Sequence, residues 1–167
     1  MMEKVPSWDD WFMTMVYLVA SKSKDPRTKI GAVVVGPGRE VRSMGYNGLP
    51  RGVDDCVEER YEKGEKNFWF EHAERNAIYN ATLIGASLRD CVMYTQGIPC
   101  HDCSRGIIQS GLREIVLDKK WNGIDLDSER YRRSFEMFKE RGVLVRFHDT
   151  EFVHLEGVND GIRWPLV

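Results

Sequence analysis

Two short runs limit what this chain can fold into more tightly than anything else in it. They are His72-Ala73-Glu74 and, 28 positions after that histidine, Pro99-Cys100-His101-Asp102-Cys103. One imidazole and two thiolates can grip a zinc ion and leave its fourth position open for water or substrate. The two cysteines lie three apart, close enough to hold one ion from the first turn of a helix. Glu74 follows the histidine by two residues, where it can face the open position without binding the ion itself. Such a chain must bring two helix starts together across whatever lies between them.

The same residues also fit a structural zinc site or a redox pair. Structural zinc normally takes four protein ligands, and the other cysteines are Cys56 and Cys91. Cys91 opens an apolar run, Cys91-Val92-Met93-Tyr94, that reads as a buried strand, where a free cysteine behaves as a small hydrophobe. Cys56 lies in a polar loop and stays open as a fourth ligand, although no cysteine or histidine near it could complete a second pair. The joint presence of H-A-E and P-C-x-x-C favours the open, catalytic arrangement.

At 167 residues the chain is expected to form a single domain over 1–167, long enough to bury a core. Apolar residues make up 42% and charged residues 30%, which excludes a disordered chain. A formal charge of −2 argues against an extended nucleic-acid surface, which needs a cationic stripe, and so against a stable nucleic-acid partner. Four cysteines with no signal peptide point to a reducing cytoplasm and a metal role. No apolar run approaches the roughly 18 residues of a membrane span. There is no internal repeat or low-complexity stretch.

Apolar periodicity then orders the elements. Trp8, Trp11, Phe12, Met15, Leu18 and Val19 form one face of an amphipathic helix. Ser7 with Asp10 resembles a capping box, and Pro26 ends the helical stretch near Lys22 to Asp25. Ile30 to Val35 and Val41 to Tyr46 read as a hairpin around Gly36-Pro37-Gly38. A polar segment, Asn47 to Asn67, follows, with a helical turn expected within Glu59 to Lys66. Helices over His72 to Leu83, Cys100 to Gln109 and Ser128 to Arg141 alternate with strands over Val92 to Thr95, Glu114 to Leu117 and Val143 to Phe147. That alternation predicts an α/β fold, a central sheet with helices on both faces. Both halves of the metal site fall at helix starts, where orphan N–H groups and the positive dipole end favour thiolates.

The H-x-E and P-C-x-x-C combination is the signature of zinc nucleobase deaminases. Two further blocks, Asp25-Pro26-Arg27-Thr28-Lys29-Ile30-Gly31-Ala32 and Gly45-Tyr46-Asn47-Gly48-Leu49-Pro50, narrow the likeness. With His72-Ala73-Glu74-Arg75-Asn76-Ala77-Ile78 and the cysteine block, the chain resembles the deoxycytidylate (dCMP) deaminase branch of the cytidine deaminase-like superfamily over residues 8 to 147. The resemblance implies a three-layer α/β/α sandwich around a central five-stranded mixed sheet, and one catalytic Zn2+ per subunit on His72, Cys100 and Cys103. It implies hydrolysis of dCMP to dUMP and ammonia, which feeds thymidylate synthesis, with Glu74 as the catalytic proton carrier. A homo-oligomer is implied, with a hexamer favoured. So is a sugar contact from Asn47, which a turn role before Gly48 would also explain.

Arg27, Lys29 and Arg51 are the candidate phosphate cations, and Trp121 a candidate stacking partner for the base. Gly45, Tyr46, Asn47 and Gly48 match a segment through which some relatives respond to dCTP and dTTP. The ligand set of the second, structural zinc found in certain phage-type relatives is missing. His101 reads as a site wall or helix-turn residue, and His148 and His154 as ordinary. The tail 150–167 carries no legible motif, and Phe152, Leu155, Ile162, Trp164 and Leu166 are expected to pack on the domain or on a neighbouring subunit. Substrates of other classes stay in play: a 5-substituted dCMP, since one methyl is a weak discriminator, and a tRNA or polynucleotide, which the acidic charge disfavours.

Overall fold

A computed structural model describes residues 5–121, 129–159 and 162–165. The first helix is α1 (Trp8–Ala20), then come strands β1 (Gly31–Val35) and β2 (Val41–Tyr46). A 3-10 turn (Glu58–Tyr61) and the one-turn helix α2 (Lys66–Trp69) interrupt the polar segment before α3 (Ala73–Ile84). Then β3 (Val92–Thr95), α4 (His101–Gln109), β4 (Glu114–Asp118), α5 (Glu129–Arg141) and β5 (Leu144–His148) alternate. A separate pair, β6 (Glu156–Asn159) and β7 (Ile162–Pro165), closes the described chain.

The main sheet has five strands in the order β2-β1-β3-β4-β5. β1 runs antiparallel to both β2 and β3, whereas β3, β4 and β5 are parallel. Parallel neighbours need a crossover, and α4 and α5 are those crossovers. Successive side chains of a strand point to opposite faces. Val33 and Val35 thus join Tyr94 and Val116 under α1, while Ala32, Val34, Met93, Ile115 and Leu117 pack with α3, α4 and α5. This is the mixed five-stranded α/β/α sandwich that the helix–strand alternation and the resemblance imply.

Close approach of helix to sheet is set by two glycines. A Cβ on Gly31 would lie 2.2 Å from the Val16 carbonyl oxygen of α1, and one on Gly45 would lie 2.3 Å from the Ala77 nitrogen of α3. Ala73, Ala77 and Ala81 complete that second contact from the helix side.

One expectation needs correction. The buried face of α1 is Phe12, Met13, Val16, Val19 and Ala20, not the stripe headed by Trp8 and Trp11. Leu18 is 65% exposed and Trp8 48%. The three rings Trp8, Trp11 and Phe12 cluster with one another at the helix start. Their bulk pulls a sequence reading towards the wrong side of the helix.

The segment after β5 is fastened to α1 by polar contacts. Glu151 N and His148 Nε2 both meet Asp10 Oδ1 at 2.8 Å, and Val153 N donates to Thr14 Oγ1. Phe152 packs edge-on against Tyr17, so this part of the tail does lie on the domain. Ser128 and Leu166 lie outside the described residues, as do the side chains of Ile162 and Trp164. Among the described residues no helix is long and apolar enough to cross a membrane.

Candidate active site

One edge of the sheet gathers the start of β1 and the ends of β2, β3 and β4. His72 stands at the N-cap of α3 and Cys100 at the N-cap of α4, each with extended backbone angles and no side-chain capping bond. Their side chains turn towards each other instead. His72 Nδ1 lies 3.4 Å from Cys100 Sγ and 3.5 Å from Cys103 Sγ, and the two sulfurs are 3.5 Å apart. A tetrahedral zinc with Zn–S of about 2.3 Å and Zn–N of about 2.0–2.1 Å has ligand–ligand edges of roughly 3.5–3.8 Å. The triangle of donors therefore fits zinc, and among the described residues no fourth histidine, cysteine or carboxylate joins this group.

The charges around the triangle suit a dication. The Cys100 thiol is pulled down to about 2, first by the hydrogen bond from Cys103 and then by His72. Cys103 is pushed up by the neighbouring Cys100 sulfur and by burial. One thiolate thus forms readily and the second waits for a cation, which is how metal binding comes to release a proton. The hydrogen bond with Cys100 raises His72. Arg75, from the first turn of α3, holds Glu71 at 2.6 Å and reaches Asp102 of α4 at 3.8 Å, so it spans the two helix starts beside the thiolates. Ser134 of α5 and Ser104 of α4 both donate to the Pro99 carbonyl and fix the turn that carries Cys100.

Glu74 is 5% exposed, and its Oε2 lies 3.6 Å from Cys103 Sγ. Burial pushes its carboxyl up, with His72 opposing in part. A carboxyl raised above its ordinary value and set beside a metal corner is placed to take and return a proton.

A cavity of about 550 Å³ opens from this corner. Of the sequence-predicted residues, His72, Glu74, Cys100, Asn47, Arg27 and Trp121 line it. Trp121 lies across Gly97, where an added Cβ would come within 3.2 Å of its Nε1. Asn47 is largely occupied: its Oδ1 accepts from Ile30 N at 2.8 Å, and its Nδ2 donates to the Thr28 carbonyl and to Asp25. One Oδ1 lone pair remains for a ligand hydroxyl.

Lys29 and Arg51 are not brought to the cavity. Lys29 is exposed, with its carbonyl held by Gln96, and Arg51 reaches Asn80 on the outer side of α3. Of the 45–48 segment, Gly45 backs onto α3 and Gly48 exchanges backbone hydrogen bonds with Glu71. Tyr46 has the exposed side chain there. His101 is exposed and stands outside the donor triangle, Cys91 is buried, and Cys56 is exposed beside Asp54 and Asp55. Sequence reasoning missed Asp25 as a buried hub, Lys66, Arg75 and Tyr131. The D-P-R-T-K block marked the neighbourhood of Asp25, while Lys66 sat unmarked in the polar segment.

The sandwich and the imidazole–dithiolate corner with its buried carboxylate define the class of zinc nucleobase deaminases. Residues 6–119 match the family described as "Cytidine and deoxycytidylate deaminase zinc-binding region", and the chain belongs to that family. It is 33% identical to the deoxycytidylate deaminase of Mus musculus, over 83% of this chain and 78% of the mouse protein. It is 36% identical to a probable deoxycytidylate deaminase of Drosophila melanogaster, over 84% of this chain and 72% of the fly protein. The dCMP deaminase of cyanophage S-TIM5, crystallised with dCMP and dUMP, shares the fold at a TM-score of 0.69, with 23% identity over 87% of this chain and all of that one.

Proposed function

We propose that this chain, acting as one domain over residues 1–167, hydrolyses dCMP to dUMP and ammonia. The observation that carries the reading is the shared cavity: the metal corner and Glu74 line it together with Arg27, whose guanidinium has no partner among the described residues. The relatives' activity supports the same substrate. His72, Cys100 and Cys103 hold the zinc, which when bound supplies Lewis acidity that brings a water's pKa towards neutrality.

Glu74 takes a proton from the attacking water and passes it to the ring nitrogen beside C4. Glu74 then takes the remaining proton from the new C4 hydroxyl and delivers it to the amine as the C4–N bond breaks, so that C4 becomes the carbonyl of dUMP and the amine leaves as ammonia. Burial suits Glu74 to this alternation because it raises the carboxyl and so makes the proton easier to hold between the two transfers. Trp121 and Ile98 flank the base, the free lone pair of Asn47 takes a sugar hydroxyl, and Arg27 meets the phosphate.

The four free thiols fit a reducing, cytoplasmic setting. A homo-oligomer, with a hexamer favoured, would cover Met44, Tyr79, Leu83 and Ile84, apolar side chains left exposed on β2 and α3. An effector of the dCTP or dTTP kind would meet the chain at Tyr46. Ammonia release from the zinc-loaded protein tests the substrate: dCMP must exceed cytidine, dCTP and guanine, with 5-methyl-dCMP as the nearest competitor. Faster release from any of the others overturns the reading.

A further inference from the structure

Lys66 enters the cavity from the segment between β2 and α3, and its Nζ lies 2.6 Å from Asp25 Oδ2. Asp25 is 1% exposed and gathers four donors. The amides of Arg27 and Thr28 meet its Oδ1 at 2.9 and 3.2 Å, and Asn47 Nδ2 and Lys66 meet its Oδ2. One buried carboxylate thus positions the backbone that carries Arg27, the Asn47 amide and the Lys66 ammonium together.

An ammonium has three N–H donors. Asp25 takes one, and no other partner of this ammonium is found among the described residues. Arg27 and Lys66 are the lysine and arginine residues that line the cavity. Of the lining acids, Glu71 is neutralised by Arg75, Glu74 stands at the metal corner, and Asp25 faces Lys66. Two cations against one carboxylate leave this end of the cavity net positive. A phosphate monoester carries a charge of about −1.5 to −2 at pH 7 and offers three acceptor oxygens. Because Lys66 is already held by Asp25, little side-chain freedom is lost when it engages such a group.

We infer that Lys66, held in place by Asp25, is a specificity-determining residue that makes the site select a nucleoside monophosphate over the nucleoside. The inference rests on the deaminase reading above and extends it to a residue outside the sequence motifs. Its alternative is a strap: Lys66 merely ties the 47–71 segment to Asp25, in which case its loss would harm every substrate alike.

The zinc-loaded protein with Lys66→Gln separates the two, read as kcat/KM for dCMP divided by kcat/KM for deoxycytidine. Loss of a charge-assisted bond to phosphate lowers that ratio by about 10- to 100-fold, and Lys66→Arg, which keeps the charge, restores most of it. An unchanged ratio in Lys66→Gln, however much both rates fall, overturns the inference and leaves the deaminase reading standing. A wild type that shows no preference for dCMP over deoxycytidine overturns the monophosphate reading, and the inference with it. Should Lys66→Gln not fold, acylation of Lys66 in the wild type, followed by peptide mass spectrometry, decides. Saturating dUMP must slow it more than saturating deoxyuridine, and equal protection overturns the inference.

Discussion

The amino end of α1 and the paired amino ends of α3 and α4 occupy equivalent positions in their helices and are put to opposite uses. At α1, Ser7 Oγ accepts from Asp10 N at 3.1 Å, and the Asp10 carboxylate takes Glu151 N and faces His148. At α3 and α4 the cap positions belong to His72 and Cys100, whose side chains make no capping bond and meet each other 3.4 Å apart. The acids of the first turns diverge as well. Burial would raise Asp10, but Ser7, the Glu151 amide and His148 outweigh it and hold the carboxyl below its ordinary value. Glu74 is raised by burial, with less to oppose it. One end is saturated for stability, the other left unsatisfied so that it can hold a cation and move a proton.

The largest effect should come from removing a corner of the triangle. Cys100→Ser should lose its zinc by elemental analysis, and turnover should fall to background. The comparison is sharpened by the metal-free proteins, because serine is a better helix cap than cysteine. Metal-free Cys100→Ser should be as stable to urea as metal-free wild type, or more stable by up to about 1 kcal/mol. A clear loss of stability there would mean that Cys100 already serves α4 structurally.

Glu74→Gln should keep the zinc and lose about 10²- to 10⁴-fold in kcat. Near-normal turnover in the loaded, folded variant would remove Glu74 from the chemistry.

At the stable end, Ser7→Ala should cost about 1 kcal/mol in urea unfolding and leave zinc content and kcat/KM alone. The smallest effect is a pH dependence. The Asp10 carboxyl titrates lower in the folded chain than its ordinary 3.8. Its contribution is therefore complete above the unfolded value and lost as pH falls through the lower folded one. Asp10→Asn should be less stable than wild type at pH 7, with the gap closing below about pH 4. A gap that persists at low pH would show that packing, not charge, holds this end.

Much of the frame was legible because it rests on local periodicity. The hairpin around Gly36-Pro37-Gly38, the helix after His72 and the strand at Val92 to Thr95 are each written in consecutive residues, and each lies where it was expected. The β6–β7 pair was not expected, since its short strands carry no strong alternation. The metal triangle was legible because its ligand types and spacings are specific. Which of the candidate cations reach the cavity was not. Arg27, Lys29 and Arg51 look alike in sequence, yet Arg27 lines the cavity, Lys29 is exposed and Arg51 reaches Asn80. The Lys66–Asp25 pair joins residues 41 apart, a distance at which nothing local pairs one lysine with one aspartate.

Sequence alone determined the donor set, the helix starts that present it and the order of helices and strands, because these depend on side-chain chemistry and short-range backbone preference. Tertiary structure decided which face of α1 is buried, that Gly45 serves packing against α3, and that a single buried carboxylate gathers Arg27, Asn47 and Lys66 at one end of the cavity. Those outcomes depend on which surfaces meet when the sheet closes, and that is settled by packing over the whole chain rather than by any stretch of it.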